Sequence, residues 1–304
     1  MKNLEKYKGV FPAFYACYDA NGKINPEAIE SLAKHYLDKG VTGLYVGGSS
    51  GECIYQSIEE RQIVLEHVVK AVGGKMVIIA HVGAPSTRDS IILAKHAASL
   101  NVDALSAIPP IYYAMSHESV REYWLGIVNA TDLDFIIYNI PQTTGYSLSL
   151  ESYLEMLKHD QVIGVKNSSM AVLDIHMFKY YAPKDVVVFN GPDEQFLGGR
   201  ISGADSGIGG TYGVMPELFI EMHKAINNHD IKRAQKIQID VEKIIRDILS
   251  CDGNLYAIIK KILEKDNIFC GGVRSPLKNI SHDDILRIDD IHLSIQKAKN
   301  KYLD

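Results

Sequence analysis

Asp160-Gln161-Val162-Ile163-Gly164-Val165-Lys166-Asn167-Ser168-Ser169 is an apolar, β-branched run that ends on a lysine. A short buried strand reads this way when it runs into an accessible loop. Lysine is costly to bury. At a strand mouth it can be desolvated, its pKa lowered and its amine made nucleophilic toward a carbonyl carbon. The plain alternative is a solvated lysine just past a strand end, so the surroundings decide.

Working outward, strand-like and helix-like runs alternate. Phe11 to Cys17 reads as a strand. Asn25-Pro26 then opens a helix, with an N-cap and a proline at the first position, and Gly40 closes it. Strand 42–46 leads into the loop Gly47-Gly48-Ser49-Ser50-Gly51-Glu52, and Ser57-Ile58-Glu59-Glu60 has the form of a capping box opening the next helix. Strands at 76–81, 103–108 and 135–138 follow, each with a helix behind it, and then the lysine strand. Val186 to Phe189 is a further strand, ending at Asn190-Gly191-Pro192-Asp193-Glu194, and Ala204 to Ile208 is a weak, glycine-rich one. Eight β–α units at roughly 25–35-residue intervals imply a parallel sheet, and strands apolar on both faces argue for its closure into a (β/α)8 TIM barrel. A doubly wound open sheet is the competing arrangement, but no Gly-x-Gly-x-x-Gly follows the first strand. From Met215 the pattern is all helix. The expectation is one domain over 1–304, with a barrel core at 1–214 and the last barrel helix plus a C-terminal helical extension at 215–304.

Composition narrows the function. The chain has 304 residues, 46% hydrophobic and 23% charged, with a net charge of −5. That is no footprint for nucleic acid. No stretch is apolar and long enough to span a bilayer, and the polar start lacks a signal-peptide core. Cys17, Cys53, Cys251 and Cys270 are scattered, which fits reduced thiols in a cytoplasm better than a disulfide frame or a zinc site. His81 ends a strand without a partner at metal spacing and reads as structural. Lys260-Lys261 and Lys297 to Lys301 read as solvated helix faces.

In such barrels the chemistry sits at the carboxyl ends of the strands. Those ends carry Ser49 and Ser50, Tyr112 and Tyr113, Tyr138, Lys166 and Ser168, and Gly191, Asp193 and Glu194. The glycine-rich stretch Gly207 to Gly210 comes last. Lys166 and Tyr138 end successive strands and so stand side by side. A lysine that forms an iminium with a ketone, beside a phenol that carries a proton, is equipment for carbon–carbon cleavage. The Ser49-Ser50 loop suits a carboxylate or phosphate, or is an ordinary tight turn. Asp193 and Glu194 can bind sugar hydroxyls, or merely complement a helix dipole. Gly207 to Gly210 could cradle a phosphate.

Three motifs, Gly47-Gly48-Ser49-Ser50-Gly51-Glu52, Tyr138-Asn139-Ile140-Pro141 and Gly164-Val165-Lys166, carry a resemblance over nearly the full length. The chain resembles the dihydrodipicolinate synthase / N-acetylneuraminate lyase family of class I aldolases. The resemblance implies a (β/α)8 barrel with a helical extension, assembly as a homotetramer, and a Schiff base with pyruvate or a 2-oxo acid needing no metal or other cofactor. It implies Lys166 as the Schiff-base lysine and Tyr138 as the proton-transfer residue. Ser49 and Ser50 would hold the substrate carboxylate, and Ser168, Gly191, Asp193 and Glu194 the sugar chain. Tyr112 would lie near the site at a subunit contact.

Within the family, 190–196, 202–209 and Ser168 are similar to the branch that cleaves sialic acid reversibly to N-acetylmannosamine and pyruvate. Thr143 stands where dihydrodipicolinate synthases usually carry arginine. Gly210 replaces a serine common in the sialic acid branch, and Ala16-Cys17 replaces a common Thr-Pro pair. A sibling aldolase for another 2-oxo sugar acid, a dihydrodipicolinate synthase and a metabolite-sensing barrel without catalysis are the other readings.

Overall fold

The computed structural model of the chain describes residues 2–303. The strands are β1 (Val10–Pro12), β2 (Gly43–Val46), β3 (Val77–His81), β4 (Ala104–Ala107), β5 (Asp134–Asn139), β6 (Val162–Asn167), β7 (Val187–Asn190) and β8 (Ser206–Gly209). The helices between them are α1 (Pro26–Asp38), α2 (Ile58–Val72), α3 (Thr87–Ser99), α4 (His117–Val128), α5 (Pro141–Thr144), α6 (Leu150–Met156), α7 (Val172–Tyr180) and α8 (Phe196–Ile201). After β8 come α9 (Pro216–Asn227), α10 (Ile231–Leu249), α11 (Leu255–Leu263) and α12 (His282–Tyr302).

All strands pair in parallel, in the order β1-β8-β7-β6-β5-β4-β3-β2. The sheet closes where Ala13 bridges Tyr45 and the Phe14 N–H donates to the Tyr45 carbonyl at 2.9 Å. The expected eightfold barrel is therefore what forms.

Local chemistry explains the element ends. Asn25 accepts from the Ala28 N–H at the head of α1, behind Pro26. Ser57 and Glu60 complete a reciprocal capping box at α2. The first strand is shorter than Phe11 to Cys17: β1 ends at Pro12, and after the closing bonds of Ala13 and Phe14 the chain leaves the sheet. The turn at Asn139-Ile140-Pro141 continues into the short helix α5, whose first position is Pro141.

Two apolar layers result. Inside the barrel lie Phe11, Tyr45, Ile79, Ile136, Tyr138, Ile163, Phe189 and Ile208. Between barrel and helices lie Phe135, Ile137, Val165 and Val188, among many others. Along β5 the alternation Phe135 out, Ile136 in, Ile137 out, Tyr138 in is the period of two expected of a strand. On β6 a register shift opposite Phe135 and Ile136 interrupts that alternation, so Ile163 lies inside and Val165 outside, and the next residue, Lys166, turns into the barrel level with Tyr138.

Each of the two lysine stretches expected to be solvated holds one lysine that is buried, while Lys297 and Lys301 are exposed and Lys261 is partly exposed. Lys260 on α11 is fully buried and ion-paired with Glu52 at 2.7 Å. Lys299 on α12 is buried and paired with Glu217 at 2.9 Å. Buried lysines persist where a carboxylate faces them, and here each carboxylate comes from a distant element. Among the described residues, no helix is long and apolar enough to cross a membrane.

Candidate active site

At the carboxyl ends of the strands is a cavity of about 260 Å³. Its lining includes Ser49, Ser50, Tyr138, Lys166, Ser168, Gly191, Asp193 and Glu194. The sequence-expected residues therefore meet in one place, except Tyr112.

Tyr138 and Lys166 are register partners on β5 and β6. Lys166 is 4% exposed, and its Nζ lies 4.0 Å from the centroid of the Tyr138 ring. A second ring, Tyr45 on β2, lies 4.2 Å from the same nitrogen. Aromatic faces can hold an ammonium, but they replace little of its lost hydration. Burial pulls the Lys166 pKa down to about 7, against the upward pull of the Asp193 charge. The Tyr138 phenol moves the other way. Burial pushes it up to about 12, with the Ser168 and Ser49 hydroxyls drawing it back.

The serine loop follows β2 as a single turn at Ser49–Gly51, entered through Gly47 at φ +78°. Ser50 is buried and Ser49 exposed. Opposite them, Asp193 and Glu194 are adjacent in sequence and unlike in environment. Glu194 is exposed, whereas Asp193 is 6% exposed and its Oδ2 accepts from both the Thr211 N–H and the Thr211 hydroxyl, each at 2.6 Å. Asp193 Oδ1 is buried without a partner among the described residues. Burial holds the carboxyl up at about 7, with the Thr211 bonds opposing.

Gly209 makes this placement possible. A Cβ there would sit 2.2 Å from Asp193 Oδ1 and 2.1 Å from the Tyr212 ring. The glycines of β8 thus have a packing reason, and of the stretch 207–210 it is Gly210 that lines the cavity. Gly191 is equally tight, since a Cβ would fall 1.9 Å from Ser168 Oγ.

Tyr112, expected near the site at a subunit contact, stands on the surface of this chain. It is 91% exposed at φ +87°, its ring against Tyr113, and it does not line this chain's cavity. The loop after β4 carries it outward. Thr143 is exposed on α5 and donates to the Ile140 carbonyl, while Gln142 is the residue of that turn that reaches the cavity. His81 is structural as expected. Its Nδ1–H donates to the Gly47 carbonyl at 2.8 Å, and burial beside Arg61 lowers its pKa to about 3. Among the described residues, no three His, Cys, Asp or Glu side chains converge as a metal group.

Sequence reasoning missed three contributors. Tyr45 was legible as an inward residue of β2, by alternation from Leu44. Thr211 follows the last strand and carried no separate signal. Tyr256 comes from α11, which with Ile245 and Leu249 of α10 and Leu255 roofs the cavity.

The model of the dihydrodipicolinate synthetase family matches residues 6–292. The chain belongs to that family. It is 50% identical over 305 residues to the N-acetylneuraminate lyase of Mediterraneibacter gnavus, covering 100% of this chain and 97% of that one. It is 32% identical over 286 residues to the N-acetylneuraminate lyase of Clostridium perfringens, covering 94% and 98%. A solved structure of Ruminococcus gnavus sialic acid aldolase, a catalytic-lysine mutant, superposes with a TM-score of 0.98 at 50% identity over the whole of both chains. As a family member the chain has the class I aldolase barrel, with Lys166 at the position read from the Gly164-Val165-Lys166 motif.

Proposed function

We propose that this chain is a class I aldolase that cleaves N-acetylneuraminate reversibly to N-acetylmannosamine and pyruvate. One observation carries the reading. A buried lysine, its pKa lowered to about 7, stands against the ring of a phenol inside a cavity with a paired-serine loop and an acidic pair. The activity of its relatives in Mediterraneibacter gnavus and Clostridium perfringens supports the same substrate.

The chemistry follows from the groups present. Neutral Lys166 attacks the carbonyl carbon of the open-chain 2-oxo acid. The resulting carbinolamine loses its hydroxyl as water, using the proton that Tyr138 brings, and an iminium is left. The Tyr138 phenolate then takes the proton of the β-hydroxyl. The carbon–carbon bond breaks, its electron pair enters the iminium to give an enamine, and the aldehyde leaves as N-acetylmannosamine. Protonation of the enamine carbon and addition of water release pyruvate and restore the amine. The iminium is the electron sink, so this route calls on no metal or organic cofactor.

In the same reading Ser49 and Ser50 hold the carboxylate, while Ser168, Gly191, Asp193 and Glu194 hold the polyhydroxy tail. The enzyme works in the cytoplasm, where its four free cysteines stay reduced. It assembles as a homotetramer, which would give the exposed Tyr112 a neighbour. The deciding experiment is borohydride reduction with pyruvate followed by peptide mass mapping, run beside product identification from N-acetylneuraminate. A stable adduct on Lys166 and release of N-acetylmannosamine are expected. An adduct on another lysine would sink the assignment.

A further inference from the structure

The C-terminal extension contributes a polar group to the cavity that the barrel strands do not account for. Tyr256 lies in the first turn of α11, and its ring lines the cavity beside Ser50 and Gly210. A Cβ built on Gly210 would be 3.5 Å from Ser50 Oγ and 3.9 Å from Tyr256 Cε1. The hydroxyl-bearing edge of the ring and the serine hydroxyl therefore flank the same small space. Burial pushes the Tyr256 phenol up to about 12, with the Ser50 hydroxyl opposing and the Tyr138 and Asp193 charges adding to the rise. It stays a hydrogen-bond donor throughout the neutral range.

Two anchors fix it there. One turn along α11, Lys260 pairs with Glu52, which follows the serine loop directly. That ion pair ties the helix carrying Tyr256 to the loop carrying Ser50. On the other side, the Tyr15 ring packs at 6.3 Å from Tyr256, and the Tyr15 hydroxyl donates to the Gly210 carbonyl at 2.6 Å.

We propose that Tyr256 is a third hydroxyl donor of the carboxylate subsite, binding the carboxylate of the 2-oxo acid together with Ser49 and Ser50. The proposal rests on the Schiff-base reading of Lys166 given above. A carboxylate carries more acceptor sites than two serines fill, and Tyr256 stands beside Ser50 in the same cavity. The carboxylate is common to pyruvate and to the sialic acid, so this phenol serves both half-reactions. A group on the sugar side would serve only one.

Tyr256→Phe keeps the ring and its packing and removes the donor. The readout is borohydride trapping at Lys166 as a function of pyruvate concentration, with acetone as a ketone that lacks the carboxylate. We expect half-saturating pyruvate to rise about 10–150-fold, the range for a hydrogen bond to a charged group. KM for N-acetylneuraminate should rise in step. Maximal trapping at saturating pyruvate should be retained, and acetone trapping should be unchanged. An unchanged pyruvate dependence overturns the proposal. So does an equal loss with acetone, which would make Tyr256 a packing residue. A loss confined to N-acetylneuraminate also overturns it, because it would move the phenol to the sugar side. If the native chain is not labelled at Lys166 by pyruvate and borohydride, the Schiff-base reading fails first and this inference with it.

Discussion

Glu52 and Lys260 meet in an ion pair sealed from solvent, 2.7 Å between carboxylate oxygen and Nζ, with neither side chain more than 1% exposed. The remaining valences are used as well. Lys260 donates to the Gly272 carbonyl at 2.7 Å, and the other Glu52 oxygen accepts from the Arg274 N–H at 2.9 Å. Glu52 holds a left-handed backbone at φ +52° to reach this position. Loop, helix α11 and the segment before α12 thus share one polar knot.

Removing one partner strands the other charge in a dry site. Lys260→Met is expected to cost about 3–5 kcal/mol of folding stability, the usual toll for breaking a buried pair from one side. Adding Glu52→Gln should recover part of that loss. Denaturant unfolding of both single variants and the double variant measures the coupling. Additive losses would show that the two side chains do not act as a pair.

That knot also marks where the sequence stops being legible. Lys166 and Tyr138 can be read because each ends an apolar strand, and strand ends are where a barrel gathers its chemistry. The caps at Asn25 and Ser57 can be read because their partners lie three residues away. Lys260 cannot, because its carboxylate is 208 residues distant. A Lys-Lys pair in a helix looks the same whether it faces water or Glu52. Tyr256 is hidden for the same reason, as it reaches the cavity from outside the strand–helix repeat. Tyr112 is a different case. It follows a strand end, yet its loop turns outward, and strand-end position alone does not say which way a loop folds.

The rate of Schiff-base formation should rise with pH and level off above about 7, where Lys166 loses its proton. The neutral amine is the nucleophile, so the direction is fixed. Asp193 raises the lysine's pKa, and Asp193→Asn should therefore move the rise to lower pH. Single-turnover trapping across pH 5–9 reads both curves, and a native profile flat through neutrality would contradict the lowered value.

The same shift has a stability consequence. In the unfolded chain the lysine keeps its proton up to about 10.5, but in the fold only up to about 7. Between those values the unfolded chain holds more protons, so this group makes stability rise with pH across that window. Its cost is complete below about 7. Lys166→Met removes the cost, and the variant's advantage over the native chain should be largest at pH 7 and below and fade toward pH 10. Paired denaturation curves at several pH values test this. A difference that does not vary with pH would refute it.

Tyr138→Phe keeps the ring against Lys166 and removes the proton carrier. Turnover of N-acetylneuraminate should fall by about 10²–10⁴-fold, the range for a positioned acid or base. Trapping of pyruvate should slow yet still reach Lys166, since the amine remains buried beside an aromatic face. Near-normal turnover would return Tyr138 to the barrel core.

Asp193 and Glu194 should separate when each is changed. Glu194 is exposed at the cavity wall, so its carboxylate is free to take sugar hydroxyls. Glu194→Ala should lower cleavage of N-acetylneuraminate by roughly 10–150-fold, the worth of one charged hydrogen bond. Stability and pyruvate trapping should not change, because the keto acid end lies across the cavity. Asp193 already spends Oδ2 on Thr211, and only Oδ1 is left for substrate. Asp193→Ala strands the buried Thr211 N–H as well as losing the sugar contact, so it should also cost about 1–3 kcal/mol of stability. Asp193→Asn keeps an oxygen for Thr211 and should cost sugar cleavage with little loss of fold. The assays are N-acetylmannosamine release and, beside it, condensation of pyruvate with aspartate semialdehyde. A dicarboxylate product would be repelled by this acidic pair, and Thr143 supplies no cation to offset it. Efficient condensation of the semialdehyde together with indifference to N-acetylneuraminate would overturn the substrate assignment and leave only the Schiff-base aldolase.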